Sequence, residues 1–92
     1  MRGERKAKPW YVYLLLCSDG TTYCGITNDL QRRLDAHNAG RGAKYTRGRL
    51  PVRLLVHRTV GSKSEALKLE ARAKRCRREE KVRILSEGRE GQ

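Results

Sequence analysis

The tightest limit on this chain is how little of it can be buried in one place. Trp10 to Cys17 is a nearly unbroken run of aromatic, β-branched and leucine side chains, and its apolar stretch, Val12 to Cys17, is the longest in the chain. That length suits a strand, is too short for a typical helix and falls far short of a membrane span. Apolar on both faces, it belongs in the middle of a sheet, where everything else has to cover it. With 92 residues, 37% of them apolar, no Phe and a single Trp, the chain can build one domain around one modest core.

The remaining segments fall into place around that strand. Ser18-Asp19-Gly20 is a turn signal, and Thr21 to Ile26 reads as the return strand of a hairpin. Alternation puts Trp10, Val12, Leu14 and Leu16 on one face and Tyr11, Tyr13, Leu15 and Cys17 on the other. Asn28 can cap a helix with Asp29 in its first turn and Gln31 at its third position. Leu30, Leu34 and Ala36 would face the core, and Asn38-Ala39-Gly40 is a glycine stop. A loop follows over Gly40–Pro51, then a third strand over Val52–Val60. Ser62 and Glu65 form a capping box that opens a helix running to about Cys76, and a short helix over Arg78–Leu85 ends the fold. Residues 1–8 read as a flexible basic arm, 9–86 as one domain and 87–92 as a frayed tail. The order β-β-α-β-α(-α) makes an α+β fold: a small three-stranded, mostly antiparallel sheet flanked by helices.

Charge narrows the partner. Lys and Arg number 22 against 10 Asp and Glu, a net charge of +12. A surplus of that size on a small body favours nucleic acid, because each neutralised phosphate releases a condensed counterion. A solubilising surface, a ribosomal passenger or a membrane-surface protein would share the charge but nothing more specific. The three cysteines, Cys17, Cys24 and Cys76, form no Cys-x-x-Cys pair and have no His at zinc spacing, so neither a disulfide framework nor a zinc site is expected. The basic N-terminus lacks the apolar core of a signal peptide. A monomer in the reducing cytoplasm, with no membrane association, is the expectation that remains.

Four groups of residues carry possible chemistry. Ala66, Leu67, Leu69, Ala71 and Ala73 form an apolar arc on the second long helix, and Glu70 falls near its middle. A carboxylate aimed at a core costs several kcal/mol unless a cation meets it, which leaves a buried ion pair with an arginine or a metal ligand. Arg33 and His37 lie one turn apart on the first helix, with Arg32 free to face solvent. They form a pair that could grip phosphate and move a proton, or one of no consequence. Tyr11, Tyr13 and Tyr23 sit in the hairpin, and Tyr11 reads as structural. The Gly40–Pro51 loop carries Arg41, Lys44, Arg47 and Arg49 around Tyr45. It reads as a mobile clamp, with cations for a backbone, tyrosine for stacking on an unpaired base, and Lys44 and Thr46 against phosphate.

Taken together, these residues resemble the GIY-YIG nuclease family. The resemblance rests on Tyr11-Val12-Tyr13, Tyr23-Cys24-Gly25 ten residues on, Arg33, His37-Asn38 and a helical Glu70. It runs from about Trp10 to Leu85 and is closest to the small single-domain bacterial branch, which is similar to the catalytic module of Holliday-junction nucleases. The resemblance implies a GIY-YIG fold and a metal-dependent endonuclease acting on DNA, with single-stranded or branched substrate favoured. A non-catalytic nucleic-acid-binding module, on DNA or RNA, is the alternative. It further implies that one of Tyr13 and Tyr23 takes a proton from the attacking water while the other orients it. Gly25 would let the backbone approach phosphate, Arg33 would stabilise its charge and His37 would assist proton transfer or hold it. Glu70 would carry a single Mg²⁺ or Mn²⁺.

Three positions depart from the family pattern. Tyr11 replaces the glycine of the first motif, Cys24 replaces an isoleucine, and Ile26 stands where some relatives place a lysine. The hairpin register is a further test. A two-residue turn pairs Leu16 with Tyr23 and sends the two tyrosines to opposite faces, whereas a three-residue loop pairs Cys17 with Tyr23 and brings them together.

Overall fold

The computed structural model describes residues 8–87. The expected arm and tail therefore lie outside the described residues, apart from Lys8 and Glu87. The elements run β1 (Trp10–Leu16), β2 (Thr22–Thr27), α1 (Leu30–Asn38), α2 (Lys44–Arg47), β3 (Arg53–Val60), α3 (Lys63–Lys74) and α4 (Arg78–Glu87). They form an α+β fold around one antiparallel sheet of order β2-β1-β3. The apolar run occupies the centre, the one place where a strand buries both faces and satisfies both edges.

Local chemistry sets most boundaries. Ser62 accepts from the Glu65 amide at 3.1 Å, and the Glu65 carboxylate accepts from the Gly61 amide at 2.8 Å, so α3 starts at its capping box. The start of α1 is one residue later than expected, because Asp29, not Asn28, is the cap. Its carboxylate accepts from the Arg32 amide at 3.1 Å, while its own amide donates to the Thr27 hydroxyl at 3.0 Å. At the other ends, α3 stops at Lys74, short of Cys76, and α4 continues past Leu85 to Glu87. The Gly40–Pro51 segment holds a one-turn helix, α2, where a loop was expected.

The sheet is covered on both faces. Val12, Leu14, Cys24 and Val56 meet Ala66 and Ala73 of α3 and Ile84 and Leu85 of α4. On the opposite face Tyr13, Leu15 and Cys17 pack with Tyr23, Leu30, Leu34 and Val52. Ala66 and Ala73 of α3 are fully buried, so its backbone lies close to the sheet. The stripe that α3 turns inward is 66, 69 and 73, at helical i, i+3 and i+7 spacing. Leu67 and Ala71 of the expected arc are exposed, and Glu70 sits on the shoulder of the stripe, outside the core.

Leu14 is central to the helix-covered face and has no exposed surface. Leu14→Ala is expected to lower unfolding free energy by about 2–5 kcal/mol in urea titration, through reduced burial and the cavity left behind.

Candidate active site

The hairpin register decides whether there is a site at all. Leu15 pairs with Tyr23 and Tyr13 with Gly25, around a Cys17–Thr21 loop closed by the Cys17 amide donating to the Thr21 carbonyl at 2.8 Å. Neither anticipated register occurs. The observed one has the parity of the second, so Tyr13 and Tyr23 share a face, with ring centroids 6.4 Å apart. Inside the loop, the Asp19 carboxylate accepts from the Thr21 amide and hydroxyl, and Gly20 takes the positive φ of +87° that the turn needs.

Gly25 gives Tyr13 room to lie across β2. A Cβ at this position would stand 2.5 Å from the Tyr13 hydroxyl oxygen and 3.1 Å from the Tyr23 ring. The space expected for a substrate phosphate is thus filled by Tyr13. Across β2, the Tyr13 oxygen meets the two side chains that α1 presents one turn apart. Arg33 Nε donates to it at 3.4 Å, and His37 Nε2 lies 3.2 Å away. Tyr13 is 2% exposed and His37 0%. Burial pushes the Tyr13 phenol up, with the Arg33 hydrogen bond pulling the other way. Burial followed by the Arg33 charge pushes the His37 imidazole down.

A second layer holds this cluster. His37 Nδ1 is 2.9 Å from the Thr46 hydroxyl, and a Cβ on Gly42 would overlap the imidazole. Thr46 is fully buried, so its hydroxyl meets His37 and the Ala43 carbonyl, and its expected contact with phosphate is ruled out. Tyr45 is 41% exposed, but its ring stacks on Tyr23 at 5.9 Å and carries the Arg49 guanidinium at 4.0 Å. Arg49 also bonds the Asp19 carboxylate at 3.0 Å and the Tyr45 carbonyl at 2.7 Å. The expected mobile clamp is therefore a pinned bracket whose tyrosine is engaged within the protein. Arg41, Lys44 and Arg47 remain exposed on it and free to meet a backbone. Asn38, next to His37 in sequence, fastens the start of β3. It donates to the Val52 carbonyl at 3.0 Å and accepts from the Val52 amide at 2.7 Å.

Glu70 approaches from the other side of the sheet. Its side chain is 19% exposed and pairs with Lys74 at 3.3 Å, in place of the arginine expected for a buried pair. Cys24, on the face of β2 that α3 covers, has its thiol pushed up to about 11 by burial and then by the Glu70 charge, and α3, which carries Glu70, packs against that strand. Glu70 and the tyrosine cluster thus flank β2 from opposite faces, and β2 is an edge strand. The edge of β2 that is unpaired among the described residues is the direct way round from one face to the other. Among the described residues no group of three or more acidic, His or Cys side chains could cage a metal. A lone carboxylate such as Glu70 would hold a hard divalent cation only with water or a bound ligand completing its oxygen shell.

Comparison with known proteins gives several relatives. The family model of the GIY-YIG catalytic domain matches residues 9–83. A UPF0213 protein of Streptococcus agalactiae is 51% identical over 79 residues, covering 86% of this chain and 90% of that protein. One from Lactiplantibacillus plantarum is 52% identical over 81 residues, covering 86% and 80%. Among solved structures, a UPF0213 protein from Bacillus halodurans aligns with a TM-score of 0.51 at 45% identity, covering 83% of this chain and 81% of its own. A protein from E. faecalis aligns at 0.58 and 42% identity, covering 85% and 83%.

Two outcomes follow from the packing. Gly25→Ala should cost about 1–3 kcal/mol of stability, because Tyr13 has to be displaced, and thermal unfolding measures this. His37 is held below its ordinary 6.5, so its neutral form stabilises the fold above that pH, and the contribution fades as pH falls toward the depressed value. Urea midpoints should drop between pH 7.5 and 5.5 more steeply in the wild type than in His37→Gln. Equal slopes would show that His37 is not held neutral.

Proposed function

The chain belongs to the GIY-YIG catalytic-domain family, and on that footing we propose that it is an endonuclease that hydrolyses phosphodiester bonds in DNA. Single-stranded or branched DNA is the favoured substrate and Mg²⁺, or Mn²⁺, the bound ion. The observation that carries this reading is the gathering of Tyr13, Tyr23, Arg33 and His37 on one side of an edge strand with Glu70 on the other. Simple backbone binding requires no such arrangement.

Burial divides the labour between the tyrosines. Tyr23 is only partly buried and its hydroxyl makes no hydrogen bond among the described residues, so it is the one able to meet the attacking water and take its proton. Tyr13 is enclosed, and it holds Arg33 and His37 in register. Arg33 uses Nε on Tyr13, which leaves its Nη donors for the oxygens of the scissile phosphate. His37, fully buried and kept neutral, acts through Tyr13 and does not grip phosphate itself. Glu70 would hold the ion, which supplies charge neutralisation at the phosphate and the leaving oxygen. Lys74 shares that carboxylate and competes for it.

The preference for unpaired or branched substrate is supported by the free edge of β2 among the described residues, over which a flexible strand bends readily while a duplex, with a persistence length of about 50 nm, bends only at a cost.

Labelled single-stranded, duplex and branched DNA, and RNA, incubated with Mg²⁺, Mn²⁺ or EDTA, test the proposal. The wild type should cleave only with metal. Arg33→Ala and Glu70→Ala should each lose about 10²–10³ in single-turnover rate, as expected for removing a preorganised charge at the reacting phosphate. Tyr23→Phe should lose more than Tyr13→Phe. If the wild type binds every substrate and cleaves none, the chain is a binding module. Cleavage that survives Glu70→Ala removes that residue from the metal site.

A further inference from the structure

The substrate path has a second flank outside the tyrosine face. Because Glu70 and the tyrosines sit on opposite faces of β2, a strand presented to both must cross that edge and continue over the α3 side. The turn between α3 and α4 lies there. Arg78 donates to the carbonyl of Gly20 in the β1–β2 loop, which fixes the elbow at the end of the hairpin. Lys74 and Lys81 both act electrostatically on the Cys24 thiol of β2, as Glu70 does. Between them, Arg75 and Arg77 are exposed and make no ion pair or hydrogen bond through their side chains among the described residues.

We propose that this elbow, with Arg75 and Arg77 at its tip and Lys74 and Lys81 on its flanks, is a second contact for the phosphate backbone of nucleic acid. It holds the strand after it has crossed the edge of β2. The partner is argued from charge and position. Among the described residues Arg75 and Arg77 are left unpaired despite Glu79 and Glu80 in the same segment, while Lys74 is paired with Glu70 and Arg83 with Glu80. The elbow also adjoins the one carboxylate poised to share a metal with phosphate. An acidic protein would match the charge but not the continuity with Glu70. Arg41, Lys44 and Arg47 would hold the backbone on the tyrosine side, so the two cationic groups bracket the edge.

This surface rests on the nuclease reading for its direction but is tested by binding alone. Fluorescence anisotropy with labelled single-stranded and branched DNA, in EDTA and over a salt series, compares the wild type with Arg75→Glu/Arg77→Glu. The control is Lys68→Glu/Arg72→Glu, an equal charge change on the β3 side of α3, where those side chains line a groove with Arg58 and Val60. The elbow variant should bind on the order of tenfold more weakly, and its slope of log affinity against log salt should fall by about one for each phosphate no longer neutralised. The control should shift by much less. Circular dichroism melts confirm that both variants are folded, and Arg75→Gln/Arg77→Gln provides a milder pair if the charge reversal unfolds the chain. Equal weakening by the two charge swaps, or no weakening at the elbow, overturns the proposal. Should the wild type prove unable to cleave, the nuclease reading fails while the anisotropy comparison still decides the elbow. If cleavage occurs, the elbow variant should show a raised KM with kcat retained.

Discussion

A phenol oxygen buried beside the central strand has to find its partners inside the protein, and much of this structure answers that need. An unsatisfied polar group in a dry interior costs about 1–3 kcal/mol. Tyr13 meets the need by crossing β2 at the one position without a side chain, Gly25, to reach Arg33 and His37 on α1. His37, buried in turn, requires something for its other nitrogen, and the α2 turn supplies Thr46. Arg49 then ties that turn to Asp19 in the hairpin loop. Four separate segments are held in one place by a chain of polar groups, buried at its Tyr13–His37–Thr46 end and exposed at its Arg49–Asp19 end.

That chain also explains why the site is divided. β2 is two layers of function thick: tyrosines, arginine and histidine on one face, Glu70 on the other. Among the described residues its outer edge has no strand partner, so on the proposed reading it is where a long flexible polyanion touches both sides at once. The two cationic groups, one on the α2 bracket and one at the α3–α4 elbow, border that same edge. With a net charge of +12 the protein attracts polyanions, and on the proposed reading the edge is where that attraction coincides with chemistry.

Elements with strong local signals were legible. The Ser62–Glu65 box starts α3 as expected, and the Trp10–Cys17 run is the central strand, because capping and alternation are determined by neighbours a few residues away. The pairing of Arg33 with His37 on one helix face was equally readable. Features that depend on remote partners were less so. Thr46 looked like a phosphate contact because nothing near it in sequence reveals His37, nine residues away. Tyr45 looked free to stack on a base because Tyr23 and Arg49 reach it only through the fold. Glu70 looked buried because the arc was drawn too wide, and the contact with the sheet selects a narrower stripe.

What the sequence determined by itself was the set of side chains, their order and the faces on which each element could place them, since two-residue and 3.6-residue periods follow from backbone geometry alone. It also determined the excess of positive charge, which favours a polyanionic partner. The tertiary structure decided the hairpin register, and with it the meeting of Tyr13 and Tyr23. It also decided that Tyr13 is enclosed while Tyr23 is only partly buried, and that α3 carries Glu70 on the opposite face of an edge strand from the cluster. Those outcomes are set by loop length, by packing against α1 and α3 and by the demand for buried hydrogen-bond partners. Each is an interaction between segments far apart in the chain, for which no local pattern exists.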